Sequence, residues 1–379
     1  MRILYVASDQ LVPGTTGGSV HVLEVARGLA GRGHEVHAVV RAEDGAALRE
    51  ERFGVVWHRA RWWPSHRLFR FRARARVEAV VKESRPQVVM ERYYNFGGEG
   101  IKAAAARGLP SLLEVNSPVV DHPGSLKAAF DRLTIVRPLR RYREGLCRQA
   151  TALVSPLRQI VPEFARPRTH TVTWGANVAD FHPTRREAAV RRELGLPDDA
   201  VVVLFSGSFR PWHGVQVLEE AARRLADHAE LFFLLVGGES DRPVRGYRGR
   251  RLGTVPYERM PQIVAASDVG VAPYDTRRLR QLRLGFYWSP LKVFEYMACG
   301  LPTVTIPRAP LSEVVRDGEE GLHFREADPA DLARALVRLA GDRGLRARLG
   351  GKARARVVER YSWARHCEQL ESVMGGLLS

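Results

Sequence analysis

The sequence predicts an α/β protein of two domains, each a parallel sheet covered by helices, with the two sheets facing a central cleft. Three observations predict it. The chain has 379 residues, more than one ordinary core holds. Short apolar strands alternate with one-sided helical stripes along its length. One plan, strand then glycine-bearing loop then helix, opens both halves, at residues 2–31 and again at 200–226.

The first half begins with a strand at 2–8, a loop at 9–18, a helix at 19–31 and a strand at 35–40. Val22, Leu23, Val25, Ala26, Leu29 and Ala30 form the helix's apolar stripe, and Gly31 and Gly33 end it. Further strands are expected at 55–58, 88–91, 111–114 and 152–154. In the second half, 200–206 is a nearly unbroken apolar run, as expected of a strand covered on both faces. A loop at 207–214, a helix at 215–226 and a strand at 231–236 follow. Next come a helix at 257–266 and a strand at 269–272, then a helix at 291–299 and strands at 302–306 and 321–324. The last helices fall at 329–339, 345–358 and 362–374. The polar, Arg-rich stretch 181–197, with Pro183 and Pro197, reads as the linker. The domains are therefore expected at 1–185 and at 186–360, with a last helix within 361–379.

The 45% apolar content is that of a globular chain, and no run of about eighteen apolar residues exists to span a membrane. Residues 1–9 read as a strand and not as a signal peptide. Cys147, Cys299 and Cys367 are odd in number and far apart, which points to a reduced, cytoplasmic protein without a disulfide frame or Cys-based metal site. The net charge of +17 has two readings. One is a base-composition bias toward Arg. The other is an anionic partner: nucleotide, phospholipid or nucleic acid. Lysine is scarce, which makes Lys292 more telling as a point charge for a phosphate oxygen.

Several constellations carry chemistry. In 289–302, Lys292 and Glu295 stand three residues apart in an apolar helical run, so both charges share one face and need a polar partner there. A phosphate for Lys292 and sugar hydroxyls for Glu295 would supply it. Gly14, Gly17 and Gly18 precede a helix start, where backbone can approach an anion; a plain tight turn is the alternative. In the second loop, Arg210 is placed to fork onto phosphate oxygens with His213 as a second donor, or else both are an ordinary helix start. Glu91 with Arg92, and Glu114 with Asn116, end strands at the expected cleft edge. Their carboxylates either accept hydroxyls or pair with nearby Arg, and Glu114 and His122 are the acid–base candidates of that half. Residues 59–76 interleave Arg with Trp62, Trp63, Phe69 and Phe71 without an acid. That suits an anionic membrane interface, stacked bases or a solvated helix face. No nucleic-acid-binding signature accompanies it, and no nucleic-acid partner is expected.

Taken together and in order, these pieces resemble the retaining glycosyltransferases of family 4, which have the GT-B fold of two Rossmann-like domains. The resemblance covers nearly the whole chain. It rests on the glycine loop with Gly-Leu-Ala-Gly-Arg-Gly-His-Glu-Val at 28–36, Val154-Ser155-Pro156, Trp174–Val178 with Asp180–Pro183, and 206–214. Gly237-Gly238, 253–256, 267–274, 289–302 and 317–322 complete it. The resemblance implies a sugar moved from a nucleoside-diphosphate donor to an acceptor hydroxyl with retention, without a metal or other cofactor. It matches Gly17 and Gly18 to the loop near donor phosphates and acceptor, Arg210 to the diphosphate, Val255 to the base and Glu295 to the ribose hydroxyls. Ser208 stands beside Arg210, and Ser289, Pro290, Leu291 and Lys292 match the cradle for phosphate and sugar. Glu91, Arg92 and His122 fall on the acceptor side, with Glu114 and Asn116 near the reaction centre, and the helix within 361–379 resembles the family's segment that crosses back to complete the first domain, 1–185.

Three positions depart from the pattern. Tyr287 replaces a Glu that contacts the donor sugar, His213 replaces a Lys, and Asn116 replaces a His near the anomeric carbon. Lys292 is then expected to carry more of the diphosphate charge. A membrane face is the expected place of work, through residues 59–76. Two other classes remain open on this reading: a nucleotide-sugar epimerase of the same fold, and an inactive frame that binds anionic ligands or membranes.

Overall fold

The structure is a computed structural model that describes residues 1–43, 45–61, 69–122, 124–238, 244–287 and 290–379; the side chains of 69–72 and 283 are also outside it. Ser289, Trp62 and Trp63 lie outside the described residues. Two compact units form. One comprises Met1–Trp174 with Trp363–Ser379, and Tyr287 is assigned to it; the other comprises Gly175–Phe286 and Pro290–Ser362. The division at Trp174 precedes the expected linker, because Arg354 of the second unit donates to the carbonyls of Val178 and Phe181 at 3.0 and 2.8 Å and holds that stretch to it.

The first unit holds β1 (Arg2–Leu11), β2 (Glu35–Arg41), β3 (Arg49–Arg52), β4 (Val55–Ala60), β5 (Val88–Arg92), β6 (Ser111–Glu114), β7 (Ala152–Ser155) and β8 (Thr169–Thr171). Their order in the sheet is β3-β4-β2-β1-β5-β6-β7-β8. All pairings are parallel except β3 with β4. That hairpin was not expected from sequence, because Arg49–Arg52 has no apolar residue. It forms through Phe53 and Gly54, both at positive φ (58° and 71°), the twist a two-residue hairpin turn requires. A charged strand is a suitable sheet edge, since it discourages pairing with other chains.

The second unit holds β9 (Val201–Ser206), β10 (Leu231–Val236), β11 (Gly249–Leu252), β12 (Val269–Ala272), β13 (Thr303–Thr305) and β14 (Gly321–His323), parallel in the order β11-β10-β9-β12-β13-β14. Every residue of β9 and β10 is buried, as their unbroken apolar runs require. The helix Leu291–Ala298 is fixed against this sheet. Gly270 lacks the Cβ that would strike the Tyr296 ring, and the Ser206 backbone N–H donates to the Tyr296 hydroxyl at 2.7 Å.

The helix Gly17–Gly31 starts earlier than expected. Thr16 caps it by accepting from the Ser19 N–H, so Gly17 and Gly18 belong to its first turn and not to a loop. Gly28 leaves room for Cys367, whose Sγ would lie 2.5 Å from an added Cβ, and so lets the helix Trp363–Gly376 pack closely. Arg32 and His34 both reach Glu371 on that helix, at 2.7 and 2.9 Å. No helix among the described residues is long and apolar enough to cross a membrane.

Candidate active site

In the second unit, the carboxyl ends of the strands gather the predicted donor residues. Tyr296 is tied to Ser206 at the end of β9, so Lys292, one helical turn earlier, is held over the following loop. Lys292 is 9% exposed, and its Nζ has no hydrogen-bond partner in the protein. It lies 4.2 Å from the ring centre of Phe205 and 5.4 Å from that of Tyr274. Ring faces favour a cation but do not replace water's hydrogen bonds. Burial therefore pulls the Lys292 pKa down to about 7, against a smaller raising effect of Glu295.

His213 approaches from the other side. Its Nδ1 is also buried without a partner, and burial beside Lys292 and Arg210 pushes its pKa down to about 2. Both atoms converge on Gly207: a Cβ there would sit 2.7 Å from Lys292 Nζ and 3.2 Å from His213 Nδ1. Gly207 is what lets two unsatisfied nitrogens share one space. The loop is held in register by Gly214, whose φ of 70° suits glycine and whose missing Cβ would collide with the Pro273 carbonyl. Ser208 and Arg210 are exposed on this loop, and the Arg210 guanidinium lies 5.9 Å from the Trp212 ring centre. Val255 is half-buried in the segment after β11, where Thr254 donates to the Gly238 carbonyl at 2.8 Å. Pro290 is buried, and it and Leu291 open the Lys292 helix. Tyr287 is buried, which raises its hydroxyl pKa. Glu295 is buried too, and accepts the Tyr257 hydroxyl at 3.0 Å. The hollow lined by Pro183, Arg186, Ala200, Asp268 and Arg346 lies at the start of β9, the opposite edge from Gly207.

In the first unit, the structure corrects several acceptor-side expectations. Glu91 does not face a ligand. It is 1% exposed and accepts the N–H groups of Gly98 and Ile101 at 2.7 and 2.8 Å, capping the helix Glu99–Ala105. Burial lifts its pKa to about 7 despite those bonds. Arg92 is paired with Asp9 at 2.9 Å, and its Nη2 would lie 3.3 Å from a Cβ on Gly18, so the predicted Arg92 and Gly18 are brought together. His122 is half-buried, and its carbonyl accepts the Ser125 N–H at 3.0 Å. Arg59, expected in a surface patch, is buried; it pairs with Glu50 at 2.7 Å and donates to the Val12 carbonyl. Arg76 donates to the Leu48 carbonyl.

Glu114 ends β6, and both it and Asn116 are buried. Glu114 lies 2.7 Å from His21 Nε2 and accepts the Tyr5 hydroxyl at 2.9 Å. Burial pushes its carboxyl up, but His21, Arg92 and Asn116 together outweigh that and hold it at about 2. Asn116 Oδ1 accepts the Trp174 indole N–H at 3.1 Å, and Trp174 stacks on His21 at 4.3 Å. His366 donates from Nδ1 to the Thr173 carbonyl at 2.8 Å, and burial beside His21 lowers its pKa to about 4. His21, Glu114 and His366 place their ligand-type atoms within 4.8 Å of one another, as do His37, His58 and Glu83. In the first group His21 and Glu114 already pair directly at 2.7 Å. Sequence reasoning missed His21 and His366. The available signal was a single imidazole on each of two otherwise apolar helix faces.

The chain was compared with known proteins. Residues 15–174 match the family model described as Glycosyltransferase Family 4, and residues 200–342 match Glycosyl transferases group 1. A D-inositol 3-phosphate glycosyltransferase of Geodermatophilus obscurus is 30% identical, covering 96% of this chain and 85% of that protein. One of Xylanimonas cellulosilytica is 29% identical, covering 94% and 90%. Among solved structures, a sucrose-phosphate synthase from Thermosynechococcus elongatus superposes with a TM-score of 0.76 at 20% identity over 100% of this chain and 99% of that one. Anabaena HepE in complex with UDP gives 0.74 at 17% identity over 99% and 100%. The fold is GT-B, and the chain belongs to glycosyltransferase family 4.

Proposed function

We propose that this glycosyltransferase moves a sugar from a nucleoside-diphosphate donor to an acceptor hydroxyl with retention, at the cytoplasmic face of an anionic membrane in envelope or specialised-metabolite glycosylation. One observation carries the donor half: Lys292 Nζ and His213 Nδ1, both buried and unpartnered, meet at Gly207 beside exposed Arg210. Unsatisfied buried donors are costly, and a diphosphate would satisfy them.

The leaving group gains negative charge as the glycosidic bond breaks. Arg210 and protonated Lys292 would stabilise that charge by preorganised electrostatics, which requires no metal. Arg210 would clamp two oxygens, while Lys292 acts as a point charge. His213 can donate one hydrogen bond as a neutral imidazole. Buried Glu295, already bonded to Tyr257, suits holding ribose hydroxyls rather than attacking a carbon. Front-face attack then gives retention, with the departing phosphate oxygen taking the acceptor proton. The relatives named as D-inositol 3-phosphate glycosyltransferases make a phosphorylated polyol the first acceptor to try.

Calorimetric titration with UDP, GDP and ADP tests the donor reading; binding of none of them would sink it. The anomeric proton coupling of the product tests retention, and activity undiminished by chelator is expected. Donor turnover without acceptor into an isomeric sugar nucleotide would favour the epimerase reading instead.

A further inference from the structure

We propose that the helix Leu126–Leu133 and the turn after it form the surface by which the protein seats on an anionic lipid bilayer. This deepens the membrane half of the proposed function and rests on it, but assigns that role to a different surface from residues 59–76.

The segment exposes what a folded chain ordinarily buries. Leu126, Phe130 and Leu133 recur at i, i+4 and i+7, so they share one helix face. They are 87%, 48% and 82% exposed, and Ile135 and Val136 extend the face at 86% and 58%. Scattered exposed leucines need no explanation, but a contiguous apolar stripe marks an interaction site. The turn holds the stripe outward. Ile135 and Arg137 adopt left-handed φ of 57° and 51°, a conformation that costs a β-branched residue energy.

The charges around the stripe choose the partner. Arg132, Arg137 and Arg141 are exposed on the same helix–turn–helix segment, as is Arg140, which is paired with Glu144. Asp131 is the single acid between residues 124 and 143, and it is buried. It accepts the N–H groups of Leu139 and Arg140, both at 3.0 Å, capping the helix Pro138–Gln149. The presented face is thus apolar at its centre and cationic at its rim; the nearest carboxylate, half-buried Glu144, is taken up by Arg140 and Arg148 at 2.8 and 3.1 Å. A second copy would set arginine against arginine. Anionic phospholipid complements both parts: acyl chains accept the Leu, Phe and Ile side chains, and headgroups accept the guanidinium groups.

The test uses the full chain and sedimentation with vesicles of phosphatidylcholine, with and without phosphatidylglycerol. The protein should co-sediment with the anionic vesicles only, and the apolar contribution should leave part of that binding resistant to salt. The triple variant Leu126→Ser, Leu133→Ser, Ile135→Ser removes exposed apolar groups that the fold does not need. Its binding should fall by about a hundredfold or more, with the thermal midpoint and nucleotide affinity unchanged. Arg61→Glu with Arg74→Glu should retain binding. If the unaltered protein binds no vesicle, the membrane reading itself fails. If it binds and the triple variant binds equally well, the assignment of this surface is overturned. If it forms a dimer in solution that the triple variant breaks, a second copy is the occupant, which also overturns it. Nucleotide titration of the same samples reports the donor reading separately.

Discussion

Lys292 is an ammonium group that the fold does not solvate, and its behaviour should follow from that. With its pKa drawn down to about 7, the amine is increasingly neutral above that pH. An anion that needs the ammonium must then bring a proton with it. Nucleotide affinity should fall as pH rises above about 7, by up to about tenfold per unit, with proton uptake visible in buffers of different ionisation enthalpy. Lys292→Met should weaken binding and flatten that dependence. Glu114 works in the opposite direction. Its carboxyl is held at about 2 in the fold, below its ordinary 4.5, so its stabilising effect is present above the ordinary value and lost as pH falls toward about 2. Glu114→Gln should cost about 1–3 kcal/mol in urea unfolding at neutral pH and reduce the loss of stability on acidification. The two residues differ in how legible they were. Two charges on an apolar helix announce that Lys292 and Glu295 face inward. Nothing in local spacing joins residues 21, 114 and 366, or shows that Glu91 will be claimed by the backbone of the turn at Gly98.

At the scale of elements, the buried strands were legible and the edges were not. β9 and β10 read as strands because a sheet covered on both faces needs unbroken apolar runs. β3, β8 and β11 are short and polar, and pairing with a neighbour makes them strands, not their own composition. The loop between β9 and the helix Val215–Arg224 shows how one element depends on a single backbone angle. Gly214→Ala meets both a left-handed φ and the Pro273 carbonyl. It should destabilise the second unit by about 1–3 kcal/mol and, by shifting His213 and Arg210, lower nucleotide affinity more than its stability cost suggests. Thermal unfolding and titration of the same variant separate the two effects.

Over the whole molecule, the first unit draws its fold from both ends of the chain. Trp363, His366, Cys367 and Leu370 are buried against it. Trp363→Ala should cost about 3–5 kcal/mol. Removing residues 363–379 should abolish the cooperative unfolding transition of the first unit while that of the second survives, as scanning calorimetry would show. The sequence pattern placed a helix here and the family resemblance returned it to the first domain, but neither showed the tight seat Gly28 makes for Cys367, because that depends on a space rather than a contact. The return has a consequence for synthesis. On the ribosome, the second unit can close before the first, although its residues are translated later. The Gly17–Gly31 helix packs on β1 and β2 as well, but its side facing the helix Trp363–Gly376 stays uncovered until residues 363–374 have left the exit tunnel. For that interval the nascent chain is a natural client for a holding chaperone, and moving the segment 363–379 ahead of residue 1 by circular permutation should shorten its dependence on one.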